Sequence, residues 1–217
     1  MFLDDEHWRT PLSPVRISAI SFMEYATSGQ RGRISIVSDQ KAVYLADDFH
    51  GRGFYEPARD AMRSAANSPN PDSIFDRAIE NASKRGQAKA FTEIKTGYLA
   101  WLRKLKATGV QVNGTSWRSG DLELTVKPHL GLRLPDGSLF AVLVYLKELP
   151  LTQEAANVGL RILQLTMNET LPGATALVLD ARRGKSFKMS QRTNLSKLDA
   201  LIAAEAAGYV VHWHATA

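Results

Sequence analysis

Cysteine is absent from all 217 residues. Its absence excludes disulfides, thiolate zinc sites and a cysteine nucleophile together. No uninterrupted apolar run is long enough to span a bilayer. The opening stretch, Met1 to Thr10, is acidic and polar, unlike a secretory signal. A cytoplasmic location with no membrane partner is therefore expected. The glycines Gly51 and Gly53 do not form a phosphate-binding loop, because no GxxxxGK followed by Ser or Thr is present. Aromatics for base stacking are sparse among the cations, with Phe187 alone inside the most basic segment.

The residues that are present describe an ordinary globular chain. Apolar residues make up 44% and charged residues 23%, enough for one sizeable core. A formal charge of +5 permits a polyanionic partner without demanding one. Residues 1–70 read as an N-terminal extension packed on a core of residues 71–217, the whole forming a single compact domain.

Residues 1–14 look like an arm stopped by Pro11 and Pro14. Val15 to Tyr25 fits strand or helix. Arg33 to Val37 and Ala42 to Leu45 read as a hairpin across Ser38-Asp39-Gln40-Lys41. Phe49 to Tyr55 is irregular, and Glu56 to Ala66 is a short helix with Pro57 near its start. Pro71 to Thr108 is mostly helix, interrupted near Gly86. Its stripe of Phe91, Ile94, Tyr98, Trp101, Leu102 and Leu105 buries one face. Val110 to Trp117 is a strand. Thr152 caps an apolar helix from Gln153 to Met167, and Ala174 to Asp180 is a short buried strand. Leu195 to Ala207 is an amphipathic helix stopped by Gly208, with Tyr209 to Trp213 a last strand.

The stretch from Asp121 to Leu134 alternates with a period of two. Leu122, Leu124, Val126, Pro128 and Leu130 fall on one parity, and Asp121, Glu123, Thr125, Lys127 and His129 on the other. Pro135-Asp136-Gly137 then turns the chain into a strand from Leu139 to Lys147. A three-residue bulged turn pairs Leu134 with Ser138. Counting back, Lys127 lies opposite Tyr145 and Thr125 opposite Lys147. Glu123, Lys127, His129, Tyr145 and Lys147 would then share one face.

From about residue 86 to 180 the order is helix, three antiparallel strands, helix, parallel strand. This order resembles the core of the PD-(D/E)XK nuclease superfamily. Pro128-His129 stands where that family places Pro and an acid, and Tyr145-Leu146-Lys147 where it places acid-any-Lys. Lys-Pro-His-Leu-Gly-Leu and Val-Tyr-Leu-Lys also resemble uncharacterised bacterial members. The resemblance implies an α/β (α+β) restriction-endonuclease-like mixed sheet with flanking helices, here extended by an N-terminal β-hairpin and helices. In the family, two acids hold a divalent cation, usually magnesium, and the lysine orients the attacking water. His129 and a neutral Tyr145 are poor magnesium ligands. The expectation is a degenerate metal site with no cofactor, or magnesium if Asp121 and Glu123 serve as relocated ligands.

The candidate catalytic residues are therefore Lys147, His129, Tyr145, Glu123 and Asp121. Each also has a plainer role: a solvated strand-end lysine, a hydrogen-bonded histidine, a packed tyrosine. Asn157, Arg161, Gln164 and Asn168 form a polar stripe on the crossover helix, and Arg161 and Gln164 could support the site. Arg182, Arg183, Lys185, Lys188 and Arg192, with Lys197, form a run containing no acid that could grip phosphates. His212 and His214 lack a third ligand nearby. Three functions are compatible with these residues: a non-catalytic nucleic-acid-binding or regulatory protein, an active magnesium nuclease, and a structural or protein-interaction module. Nucleic acid, a protein partner or a homo-oligomer is compatible with them as well.

Overall fold

The computed structural model describes residues 14–46 and 53–216. The arm at residues 1–13 and part of the irregular stretch near Phe49 lie outside the described residues. The chain is α+β. Its elements run β1 (Val15–Ser18), α1 (Ala19–Ala26), α2 (Gln30–Leu45), α3 (Glu56–Ala65), α4 (Pro71–Glu80), α5 (Gln87–Leu105), β2 (Thr108–Val110), β3 (Thr115–Ser119), β4 (Leu122–Val126), β5 (Leu130–Arg133), β6 (Leu139–Tyr145), α6 (Gln153–Leu165), α7 (Met167–Thr170), β7 (Thr175–Asp180), β8 (Lys185–Phe187) and α8 (Leu195–Ala215).

Among the described residues two sheets result, ordered β1-β4-β3 and β2-β5-β6-β7-β8. The larger follows the expected meander. β5 and β6 pair antiparallel, and β7 joins β6 in parallel after the α6 crossover. Leu134 and Ser138 close the hairpin at 2.9 Å, and Gly137 takes φ 85°. A side chain there would be strained, so glycine suits the turn.

The long alternating stretch is not one strand. β4 pairs with β1 and β3 in the small sheet, and β5 pairs with β2 and β6 in the large one. Both halves still keep one hairpin register, with Thr115 opposite Val126 and Val110 opposite Gly131. Between them the ladder opens. His129 donates its N–H to Val142 O at 2.8 Å, while Leu130 also faces Val142. Two residues opposite one is a bulge, which reverses the alternation. Leu122, Leu124 and Val126 therefore enter one core, and Leu130 and Leu132 the other. Pro128, without an N–H to give a ladder, sits at the break.

The helices flank the sheets in two layers. α1, α6 and α8 cover the side that receives Ala141, Leu143, Ala176 and Val178. α3 and α5 cover the side that receives Val142, Val144, Leu177 and Leu179. The expected stripe on α5 is buried at Phe91, Ile94, Tyr98, Trp101 and Leu102. Each such side chain contributes about 1.5–3 kcal/mol. Gly97 lies on the same helix because the chain at Ala181 and Arg182 crosses it: a Cβ there would stand 2.5 Å from Arg182 O.

Three further expectations are corrected. Residues 33–37 and 42–45 form no hairpin; they lie in α2. Its inward face is Arg33, Val37, Gln40, Lys41 and Tyr44, a helical spacing. Only Val37 among these is buried and apolar, so hydrophobic periodicity could not show it. Tyr209 to Trp213 is no strand, since α8 runs through Gly208 to Ala215. Gly208 does not stop the helix. It makes room for Tyr25, whose Oη would lie 3.0 Å from an added Cβ. Finally, Val110 to Trp117 is two short strands in two sheets.

Candidate functional site

The C-terminal ends of the parallel pair β6 and β7 are where ligands commonly bind in sheets of this kind. Lys147 lies just beyond β6, and its ammonium forms an ion pair with Glu24 of α1. Tyr145 is half-buried beside them. Burial pushes its phenol up, and the charges of Glu24 and Asp180 push the same way. It stays neutral at pH 7.

Asp180 ends β7 and is almost fully buried. Its carboxylate accepts the Leu151 N–H at 3.1 Å and pairs with Arg183 at 3.2 Å. Arg183 also donates to Glu148 O. Arg182 is enclosed, with 8% of its side chain exposed. It donates to Leu146 O at 2.7 Å, to Glu93 at 2.7 Å and to the Tyr55 hydroxyl at 3.0 Å. These two arginines fasten the turn after β7 to β6 and α5. Both belong to the run that could grip phosphates; their guanidinium groups are engaged within the protein.

The remaining cations of that run behave differently. Lys185 stands over the Phe187 ring at 4.8 Å and Lys188 over Phe140 at 4.7 Å. Both are exposed, as are Arg192 and Lys197, and none has an acidic partner among the described residues.

The expected shared face does not form. Glu123 is opposite Arg16 on one neighbouring strand and Arg118 on the other, and its carboxylate is 3.5 Å from Arg16. Asp121 is exposed, and its carbonyl accepts the Val15 N–H. Thr125 pairs with Ser18 and Ser116, and not with Lys147. The bulge at His129 ends the β5–β6 ladder before Lys127 can reach Tyr145. Among the described residues, no three His, Asp or Glu side chains gather as a metal site.

His129 takes up the hydrogen bond that the broken ladder leaves over. Its Nδ1 accepts the Val144 N–H at 2.9 Å. Burial and the positive charges of Arg59, Arg63 and Lys127 push its pKa down to about 3. The ring is therefore neutral, with its proton on Nε2. As the plainer of its two readings has it, this histidine is hydrogen-bonded.

Arg161 and Gln164 do not support Lys147. Arg161 makes a bidentate pair with Asp199 of α8 at 2.6 and 2.8 Å, which holds that carboxyl below its usual range. Gln164 is exposed. His212 accepts or donates at Tyr25 Oη, 2.9 Å away, and His214 lies two residues on along a helix, so the two do not share a side.

Sequence reasoning missed Glu24, the partner of Lys147. The one available signal was a lone acid in a segment otherwise without charge beyond Arg16, residues 15–25. No protein-family model matches the chain, and no curated protein matches it.

Proposed function

We propose that this chain uses a PD-(D/E)XK-like framework without metal chemistry, as a module that holds a polyanion, with nucleic acid the class the resemblance suggests. The framework supports this reading through the succession of α5, the two split strands, β6, α6 and β7. The motif positions support it through their engagements: Lys147 with Glu24, and His129 with a backbone amide. The observation that carries the proposal is the exposed run of Lys185, Lys188, Arg192 and Lys197, cations with no acid among the described residues to neutralise them. Such a run contacts phosphates without reading bases.

The test is fluorescence anisotropy with DNA and RNA of several sequences over a range of salt. Weak binding with a steep salt dependence is expected. Replacing Lys185, Lys188 and Arg192 together with Ala should weaken binding alike across sequences and lower the salt slope by about 2–3. Unchanged binding in the folded triple variant, or none at low salt, favours a protein-interaction module instead.

One observation favours a second reading, a relocated magnesium site. Glu24 adjoins Lys147, and both Glu24 and Asp180 act on Tyr145. Magnesium-dependent cleavage abolished by both Lys147→Ala and Glu24→Gln would establish that reading and end the first.

A further inference from the structure

The sequence of α2 gives it little reason of its own to be a helix. Gly32 and the β-branched Ile34, Ile36, Val37 and Val43 all disfavour one. Arg31 and Arg33 stand in the first turn against the helix dipole, with no acid there to offset them, and Gly29 offers no capping side chain. Apolar burial holds it weakly as well. Val37 is its one buried residue, whereas α6 buries Val158, Leu160, Ile162 and Leu163 among others.

What holds α2 is the fit of its cations to α1 and α8. Arg33 stands 5.4 Å from the centre of the Tyr25 ring and donates to Glu205 at 2.6 Å. Lys41 stands 5.9 Å from the centre of the Trp213 ring and donates to the carbonyls of Trp213 and Thr216, at the C-terminal end of α8. Gln40 accepts from the Tyr209 hydroxyl at 2.8 Å. Ring faces, a carboxylate and the negative end of a helix are the chemistry that receives a basic segment.

The rings of that face pack on one another without help from α2. Tyr25 and Tyr209 meet edge to face at 4.9 Å, and Tyr209 stacks with Trp213 at 6.1 Å. The acid among them is only half engaged. Glu205 has 10% of its side chain exposed, and Arg33 bonds to Oε1. The buried Oε2 meets no donor among the described residues. A buried carboxylate oxygen calls for a donor, and an arginine aligned for two parallel bonds supplies one.

We propose that α2 is an autoinhibitory ligand, lying on a face of α1 and α8 that receives a basic helix of a partner protein. When α2 lifts, an arginine of the partner takes both oxygens of Glu205. A second cation, two helical turns along, takes the Trp213 ring and the last carbonyls of α8. The affinity for such a partner is its intrinsic affinity reduced by the fraction of molecules in which α2 has lifted.

The experiment uses the whole chain, with a labelled peptide of residues 28–46 as the probe, because it carries the same cations at the same spacing. Amide hydrogen exchange in α2 should run about a hundredfold or more faster than in α6. Fluorescence anisotropy should show saturable binding of the peptide, against the chain's own charge of +5. Arg33→Gln in the chain loosens the resident helix and should tighten peptide binding about tenfold. Adding Glu205→Gln should cancel that gain, and unchanged exchange in α6 shows that each variant is folded. A peptide with Gln at both cationic positions should lose binding, a check that leaves the chain untouched. Exchange in α2 as slow as in α6, no saturation, equal affinity in wild type and Arg33→Gln, or equal binding of the neutral peptide would each overturn the proposal.

Discussion

Six cations stand within seventeen residues after β7, and they meet two fates. Arg182 is enclosed and Arg183 lies at the surface, and both bind carbonyls and carboxylates, Arg182 a phenol as well. Lys185, Lys188, Arg192 and Lys197 stay outside. Composition treats the six alike, yet backbone direction separates them. The first two sit in the turn that crosses Gly97 of α5, where space is least. Arginine suits such a place, because its planar fork satisfies several acceptors at once. Lysine over a ring on an open strand keeps its ammonium in water.

The contrast can be broken by substitution. Arg182→Ala should destabilise the fold most, by about 3 kcal/mol, because the Leu146 carbonyl and the Tyr55 hydroxyl lose a charged donor and Glu93 its nearest cation. Urea unfolding measures this, and a loss below about 1 kcal/mol would place Arg182 with the surface cations. His129 gives the next effect, through pH. Its folded pKa of about 3 lies below the ordinary 6.5, so the unfolded chain binds the extra proton first. Stability should therefore be full above about 6.5 and decline towards pH 3, by a few kcal/mol in all. His129→Gln should flatten that part of the profile; an unchanged slope would show that other groups set it.

Gly97→Ala should cost about 1–3 kcal/mol, as the turn at 181–182 is pushed off α5. Thermal unfolding would register it, and an unaffected midpoint would mean that the turn moves freely. The smallest effect on stability belongs to the outer cations. Lys185→Ala, Lys188→Ala and Arg192→Ala should each change it by no more than about 0.5 kcal/mol, while binding of nucleic acid falls. A large stability loss in any of them would dissolve the contrast.

Much of the architecture was legible because apolar residues recorded it. The stripe on α5, the Pro-Asp-Gly turn and the apolar run of β7 each state their element in hydrophobic spacing or turn chemistry. α2 was not legible, since its inner face is Arg33, Gln40, Lys41 and Tyr44. These side chains find partners in α8 and in the β1–α1 segment, and no window of sequence contains both sides of such contacts. The site was the least legible part. Alternation from Leu122 to Leu130 is continuous in sequence, and the bulge at His129 reverses it in space. One extra residue separated Glu123, His129 and Lys147 into three surroundings, so a face inferred by counting could not exist.

The parallel pairing of β1 with β4 sets an order of events for folding. Val15 and Leu122 are partners although more than a hundred residues separate them. Closing so long a loop is entropically costly and belongs late, after the β3–β4 hairpin has supplied an edge. During synthesis the first strand emerges with nothing to pair with, and it waits while α3 to α5 are made. Until it docks, β4 presents an open outer edge, the place where two unfinished chains could join instead of one chain closing on itself.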